Sequence, residues 1–203
     1  MTTLDTPAAP RGGRPAATTR AELEQVALEL FAQRGFEATT VDDIATAAGI
    51  GRRTFFRYYS SKNDVVWGEF EEGLQALRSR LAGTDPEQPL LDALREAVLA
   101  FNRLDPAHAP WHRDRMALVL GVPALQAHST LRYAAWRAVV AEFVGHRLGT
   151  DPQGLLPQLA GHLCLGAALT AYEQWLRDAD ADLQALLSDA LRALDGTWAA
   201  ATR

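Results

Sequence analysis

The chain has 203 residues, 48% of them apolar and 22% charged, with a formal net charge of −5. This composition builds a packed core and excludes a disordered or fibrous chain, while the acidic balance excludes a protein that coats nucleic acid through bulk positive charge. A single cysteine, Cys164, excludes an internal disulfide framework and a thiolate zinc cluster, and fits a reducing, cytoplasmic location.

Residues 1–18 are rich in Pro, Gly, Thr and Ala without periodicity, and read as a flexible arm. They lack the apolar centre of a signal peptide, and no later apolar run approaches the ~20 residues that span a bilayer. From Thr19 the pattern turns helical. Leu23, Val26, Ala27, Leu30 and Phe31 share one face of a helix that stops at Gly35. A shorter set, Val41, Ile44, Ala45 and Ala48, stops at Gly49. Phe55, Phe56 and Tyr59 follow, and then a long stripe at Val66, Phe70, Leu74, Leu77 and Leu81. Three of these four helix starts carry a capping box, in which a hydroxyl and a carboxylate satisfy each other's backbone donors: Thr19 with Glu22, Thr40 with Asp43, and Ser61 with Asp64.

Beyond Gly83–Pro86, helical patterns cover about 87–104, 111–120, 124–148, 155–177 and 181–200. Pro106, Pro110, Pro123, Pro152 and Pro157 punctuate them at starts or in connections, where proline is tolerated. No segment sustains period-two alternation. The expected fold is all-α with about nine helices.

The segment TTVDDIATAAGIGRRTFFRYYSSK, from Thr39 to Lys62, places two short helices around Gly49-Ile50-Gly51. That spacing fits a helix-turn-helix over about residues 42–61, whose second helix enters the major groove of DNA. The pattern T-V-x-x-I-A-x-x-A-G-I-x-x-x-T-F-F-x-Y-Y-x-x-K resembles the DNA-binding domain of the TetR family of transcriptional regulators, over about residues 19–75. The resemblance implies a three-helix DNA-binding domain at 19–79 and a helical ligand-binding and dimerisation domain at 80–203. It implies a site-specific transcriptional regulator, a repressor released from a palindromic double-stranded operator by a small apolar effector. Residues 52–70, RRTFFRYYSSKNDVVWGEF, are similar to the TetR-type regulators encoded beside mycofactocin biosynthesis genes. That narrower similarity implies control of mycofactocin-related genes and an acyl-CoA-like effector.

The resemblance also distributes roles. Arg52 and Arg53 lie on the first turn of the recognition helix, where each reads a base or touches phosphate; a bidentate arginine–guanine pair is worth ~1–3 kcal/mol of discrimination. Thr54, Phe56 and Tyr58 match positions that face DNA, whereas Phe55 and Tyr59 match positions that close the core beneath. Gly51 stands where the family usually has a hydroxyl cap; glycine caps serviceably but offers no hydroxyl to a phosphate. Thr40 caps its helix and presents backbone N–H groups to a phosphate. Lys62, the one lysine among twenty basic residues, matches a backbone-anchoring position. Arg14, with Arg11, sits in the arm, which either enters the minor groove or is merely a tail.

In the C-terminal half, the stripe Leu183, Leu186, Leu187, Ala190, Leu191, Leu194 and Trp198 predicts one bundle helix. The helix before it carries Gly161, Gly166 and Ala168, which permit close approach, so the last two helices are the expected homodimer interface. Phe101, Trp111, Met116, Tyr133, Trp136, Phe143 and Tyr172 are the candidate pocket residues. His108 and His112 have a metal-compatible spacing, but Pro110 interrupts it and no third ligand is near. No metal, cofactor or catalytic constellation is expected, and hence no enzyme. The competing reading is a helical small-molecule binding protein or enzyme whose helix-turn-helix is only structural. Charge partition favours the regulator: residues 11–62 hold eight Arg and Lys against six Asp and Glu, whereas residues 63–203 hold twelve against eighteen.

Overall fold

The computed structural model describes residues 19–103 and 109–195, and within them ten helices and no strand. They are α1 (Arg20–Arg34), α2 (Val41–Ala47), α3 (Arg52–Tyr58), α4 (Lys62–Val65), α5 (Phe70–Ala82), α6 (Leu90–Phe101), α7 (Ala109–Gly121), α8 (Pro123–Leu148), α9 (Leu155–Arg177) and α10 (Leu183–Arg192). Arg11, Arg14, His108 and Trp198 lie outside the described residues. Among those residues no helix is long and apolar enough to cross a membrane.

Two capping boxes form completely, at Thr19 with Glu22 and at Thr40 with Asp43. The third is half a box. Ser61 accepts from the Asp64 N–H, but the Asp64 carboxylate is engaged by the hydroxyls of Ser60 and Ser61 and by His128 and Arg132 of α8. Burial pushes this carboxyl up, but those hydrogen bonds and the His128 charge outweigh burial and hold it below its ordinary range. A start signal for α4 thereby also ties α4 to α8.

The tenth helix arises where the sequence predicts one continuous stripe. Trp67, Gly68 and Phe70 donate backbone bonds to Asp64, Val65 and Trp67 in a turn that separates α4 from α5. Gly68 has φ 53°, and a Cβ there would lie 2.7 Å from both Arg115 Nη1 and Glu24 Oε2. Gly68→Ala is therefore expected to lose about 1–2 kcal/mol from the left-handed backbone alone, with a further loss from displacing that ion pair. Urea unfolding measures it, and an unchanged midpoint would contradict the geometry.

The N-terminal core joins Leu23, Phe31, Ile44, Phe55 and Val65 to Val119 of α7 and Leu125 of α8. Fully burying such side chains contributes roughly 1.5–3 kcal/mol each, so the first four helices are fastened to the bundle by a shared core. A second core packs Leu74, Leu94, Val98, Trp136, Val140 and Ala160, from α5, α6, α8 and α9. A third packs Ala168, Tyr172 and Trp175 of α9 on Leu183 and Leu187 of α10. Residues 79 and 80, where the sequence divides into two units, both lie inside α5.

The small residues of α9 do not all face outward. A Cβ at Gly161 would lie 2.9 Å from the Arg137 carbonyl oxygen, so this glycine lets α9 approach α8 within the chain. Ala168 is buried in the third core. Gly166 alone of the three faces open space.

Candidate functional site

α3 is seven residues long, too short to hold itself, and it is fixed from beneath. Gly49 (φ 66°) and the bond from Ile50 N–H to the Ala45 carbonyl make the turn from α2. Gly51 caps α3 through its carbonyl, which accepts from Thr54 and Phe55, with no side-chain cap. Phe55 is fully buried and Tyr59 nearly so, with ring centroids 6.1 Å apart. The opposite face carries Arg52, Arg53, Phe56 and Arg57, all exposed, with Thr54 and Tyr58 half-buried at its edges. Arg53, Thr54, Phe56 and Arg57 border a shallow hollow there.

The four exposed residues are not equivalent. Arg52 Nη1 lies 2.6 Å from Asp42 Oδ2 on α2, and its guanidinium sits 5.4 Å from the Phe56 ring centroid. Exposed pairs of this kind contribute roughly 0–1 kcal/mol, so Arg52 is held loosely. Arg53 has no hydrogen bond or ion pair with another described residue. Phe56, 44% exposed, is one of few large apolar side chains facing solvent.

The protein itself engages two residues that the sequence assigns to phosphate. Lys62 Nζ donates to the carbonyls of Phe36 (2.7 Å) and Thr39 (3.0 Å), with a longer bond to that of Glu37, and lies 4.4 Å from the Phe36 ring centroid. It therefore ties the α1–α2 loop to α4. The N–H and hydroxyl of Thr40 both donate to Asp43 Oδ2, so its capping donors face its own helix.

The C-terminal half contains a cavity of about 380 Å³ between α5, α6, α7, α8 and α9, within the roughly 300–1,000 Å³ range of small-molecule sites. Phe101, Met116, Tyr133, Trp136 and Tyr172, expected as pocket residues, all line it. Trp111 and Phe143 do not. Trp111 packs against the N-terminal core. Phe143 faces a separate surface groove beside Arg78 and Arg147 and lies beneath the Arg147 guanidinium. Helical spacing identifies an aromatic as inward-facing but not which interior it enters.

The cavity wall also has polar residues absent from the sequence prediction. His112 lines it and donates through Nε2 to the Tyr172 hydroxyl (2.9 Å), which donates to Asn102 Oδ1 (3.0 Å); this tautomer follows from the network. Burial, with Arg115 nearby, pushes the imidazole down to about 4, so His112 is neutral at physiological pH. Burial, with Tyr133 adding to it, raises the Tyr172 phenol. Arg115 lines the cavity and pairs with Glu24 of α1 at 2.9 Å. Glu24 is 8% exposed, and its position between Leu23 and Ala27 was the available signal: an acid on the buried face of a helix needs a partner.

Comparison with known proteins agrees with both halves. The N-terminal domain of the bacterial regulatory proteins of the tetR family matches residues 25–66, and the MftR C-terminal domain matches residues 88–199. A Mycobacterium tuberculosis protein named as the mycofactocin biosynthesis transcriptional regulator MftR is 48% identical over 180 residues, covering 89% of this chain and 91% of that protein. Among solved structures, a TetR-family regulator from Syntrophomonas wolfei aligns with a TM-score of 0.66 at 15% identity, over 89% of this chain and 94% of its own. The Thermus thermophilus repressor FadR, in complex with lauroyl-CoA, aligns with a TM-score of 0.55 at 24% identity, over 87% and 93%. These two structures share the fold.

Proposed function

From the premise that this chain belongs to the TetR family of DNA-binding transcriptional regulators, we propose that it is a cytoplasmic, homodimeric repressor of mycofactocin-related genes. An apolar, acyl-CoA-like effector releases it from a palindromic operator. The observation that carries this reading is the division of α3, whose Phe55 and Tyr59 are buried while Arg52, Arg53, Phe56 and Arg57 face solvent. Such a helix presents cations and one apolar side chain to a groove from a rigid base. The cavity supports the effector half, since its aromatic and aliphatic walls suit an acyl chain. The outward side of α9, where Gly166 has no neighbour within 4 Å and Leu155 is 82% exposed, supports a homodimer through the last two helices. Two recognition helices related by a two-fold axis would read half-sites one helical turn apart, roughly 34–36 Å.

The test is a mobility-shift titration at fixed salt on the DNA upstream of the regulated genes, with and without lauroyl-CoA. Specific binding abolished by scrambling the palindrome, and reversed by the acyl-CoA, is the expected result. Equal affinity for scrambled DNA would overturn the operator, and indifference to lauroyl-CoA would overturn the effector class.

Within α3, Arg53 is assigned to base reading because, of the two first-turn arginines, Arg52 is paired with Asp42 and Arg53 has no described ion-pair partner. Arg53→Ala is expected to cost about 1–3 kcal/mol on the operator and to relax preference at one base pair per half-site. Scanning operator substitutions against wild type and variant measures this. A uniform loss on every sequence would assign Arg53 to phosphate instead.

A further inference from the structure

Three residues that line the cavity carry a buried polar atom without a partner among the described residues: the indole Nε1 of Trp67, the Nε of Arg115 and the hydroxyl of Tyr133. Trp67 is 9% exposed. Buried donors in native proteins are nearly always paired, and an unpaired one costs about 1–3 kcal/mol. The Tyr133 hydroxyl on the same wall is near Ser129 without completing a hydrogen bond. Among its aromatic and aliphatic residues the wall also carries Glu69, Asn102, Arg103 and His112, but no acceptor among the described residues reaches these donors, so what they lack is an acceptor oxygen.

Arg115 also faces the DNA-binding unit. Its Nη2 donates to Glu24 Oε2 at 2.9 Å, and the other oxygen of Glu24 accepts from the Tyr59 hydroxyl. Tyr59 is the C-cap of α3, and Arg20 of α1 donates to it at 3.1 Å. Gly68 packs directly against the Arg115–Glu24 pair. One guanidinium therefore lines the cavity and, through a single carboxylate, holds the end of the recognition helix.

We propose that Trp67 Nε1 and the Arg115 guanidinium form a subsite for a ligand oxygen, a carbonyl or carboxylate at the head of an apolar chain, whose occupation draws Arg115 off Glu24 and loosens Tyr59 at the end of α3. The proposal rests on the effector reading above and adds to it the ligand's polar head and its route to DNA. Ligand oxygen and Glu24 compete for one cation. Weakening Glu24 must then favour the ligand and disfavour the DNA-bound form, because coupling between two sites is reciprocal.

The test measures two affinities for each variant: ligand by calorimetry, using dodecanoate, lauroyl-CoA and headless dodecane, and operator DNA by fluorescence anisotropy. Wild type is expected to bind at least one of the two headed probes well above dodecane. Binding of dodecanoate or of lauroyl-CoA alone identifies the head as carboxylate or thioester, and either supports the subsite. Trp67→Phe keeps the ring and removes the N–H, and is expected to weaken the headed probe by about five- to tenfold. Glu24→Gln is expected to tighten ligand binding by about tenfold and to weaken DNA binding by a similar factor. Tyr59→Phe loosens the same link from the α3 end, is expected to weaken DNA binding and, by the same reciprocity, to tighten ligand binding by a smaller factor, and it carries the test if Glu24→Gln does not fold. Glu24→Gln losses in both affinities, or Trp67→Phe with wild-type ligand affinity, would overturn the proposal. If no probe releases wild type from DNA, the effector reading fails; release that is insensitive to Trp67→Phe and Glu24→Gln defeats only the subsite.

Discussion

Phe55→Ala is expected to destabilise the chain by about 3–5 kcal/mol, a large share of the roughly 5–15 kcal/mol by which a domain is stable. Phe55 is fully buried in the N-terminal core and meets the Phe56 ring edge-on at 5.5 Å, so truncation removes packing and leaves a cavity. The neighbour is the control. Phe56 is 44% exposed on the groove-facing side of the same helix, and Phe56→Ala should leave stability within about 0.5 kcal/mol while weakening operator binding. Urea unfolding and operator anisotropy on both variants separate the two positions. Equal stability losses would mean that α3 does not sit on its core in this orientation.

That division between adjacent phenylalanines was legible in the sequence, because a motif at fixed spacing carries orientation with it. So were most helix starts. Thr19 and Thr40 sit three residues before an acid at the onset of helical periodicity, and both complete their boxes. What the sequence hid were features decided by partners far along the chain. Val66, Phe70 and Leu74 continue a helical stripe, but the helix breaks at Gly68. There the backbone lies against the pair formed by Glu24 and Arg115, which are 91 residues apart. Helical periodicity records which side of a helix is apolar, and it has no term for such a contact. The same limit separated Trp111 and Phe143 from the five aromatic and Met residues that do meet around the cavity. Polar members of that wall, among them His112, Asn102 and Arg115, were invisible to a search for inward-facing aromatics.

Lys62 is the position where composition and structure inform each other most directly. Arginine supplies every other basic residue of the chain, so a genome that favours arginine leaves this lysine unexplained. The ammonium explains it: a compact head with three donors converges on the carbonyls of Phe36 and Thr39, with that of Glu37 further off. A planar guanidinium presents its donors as a flat fork and cannot reproduce that convergence. Lys62→Met is expected to cost about 1.5–3 kcal/mol, the range for hydrogen bonds made by a charged group. Lys62→Arg is expected to recover less than half of that loss despite keeping the charge. The decisive comparison is with DNA. Under the structural role, the folded Lys62→Met protein keeps the salt dependence of operator binding while its unfolding midpoint falls. Under the phosphate role implied by the motif alone, the midpoint stays and the slope of log affinity against log salt falls by about one. The second outcome would return Lys62 to the DNA interface; the first accounts for a lone lysine by the geometry of three carbonyls.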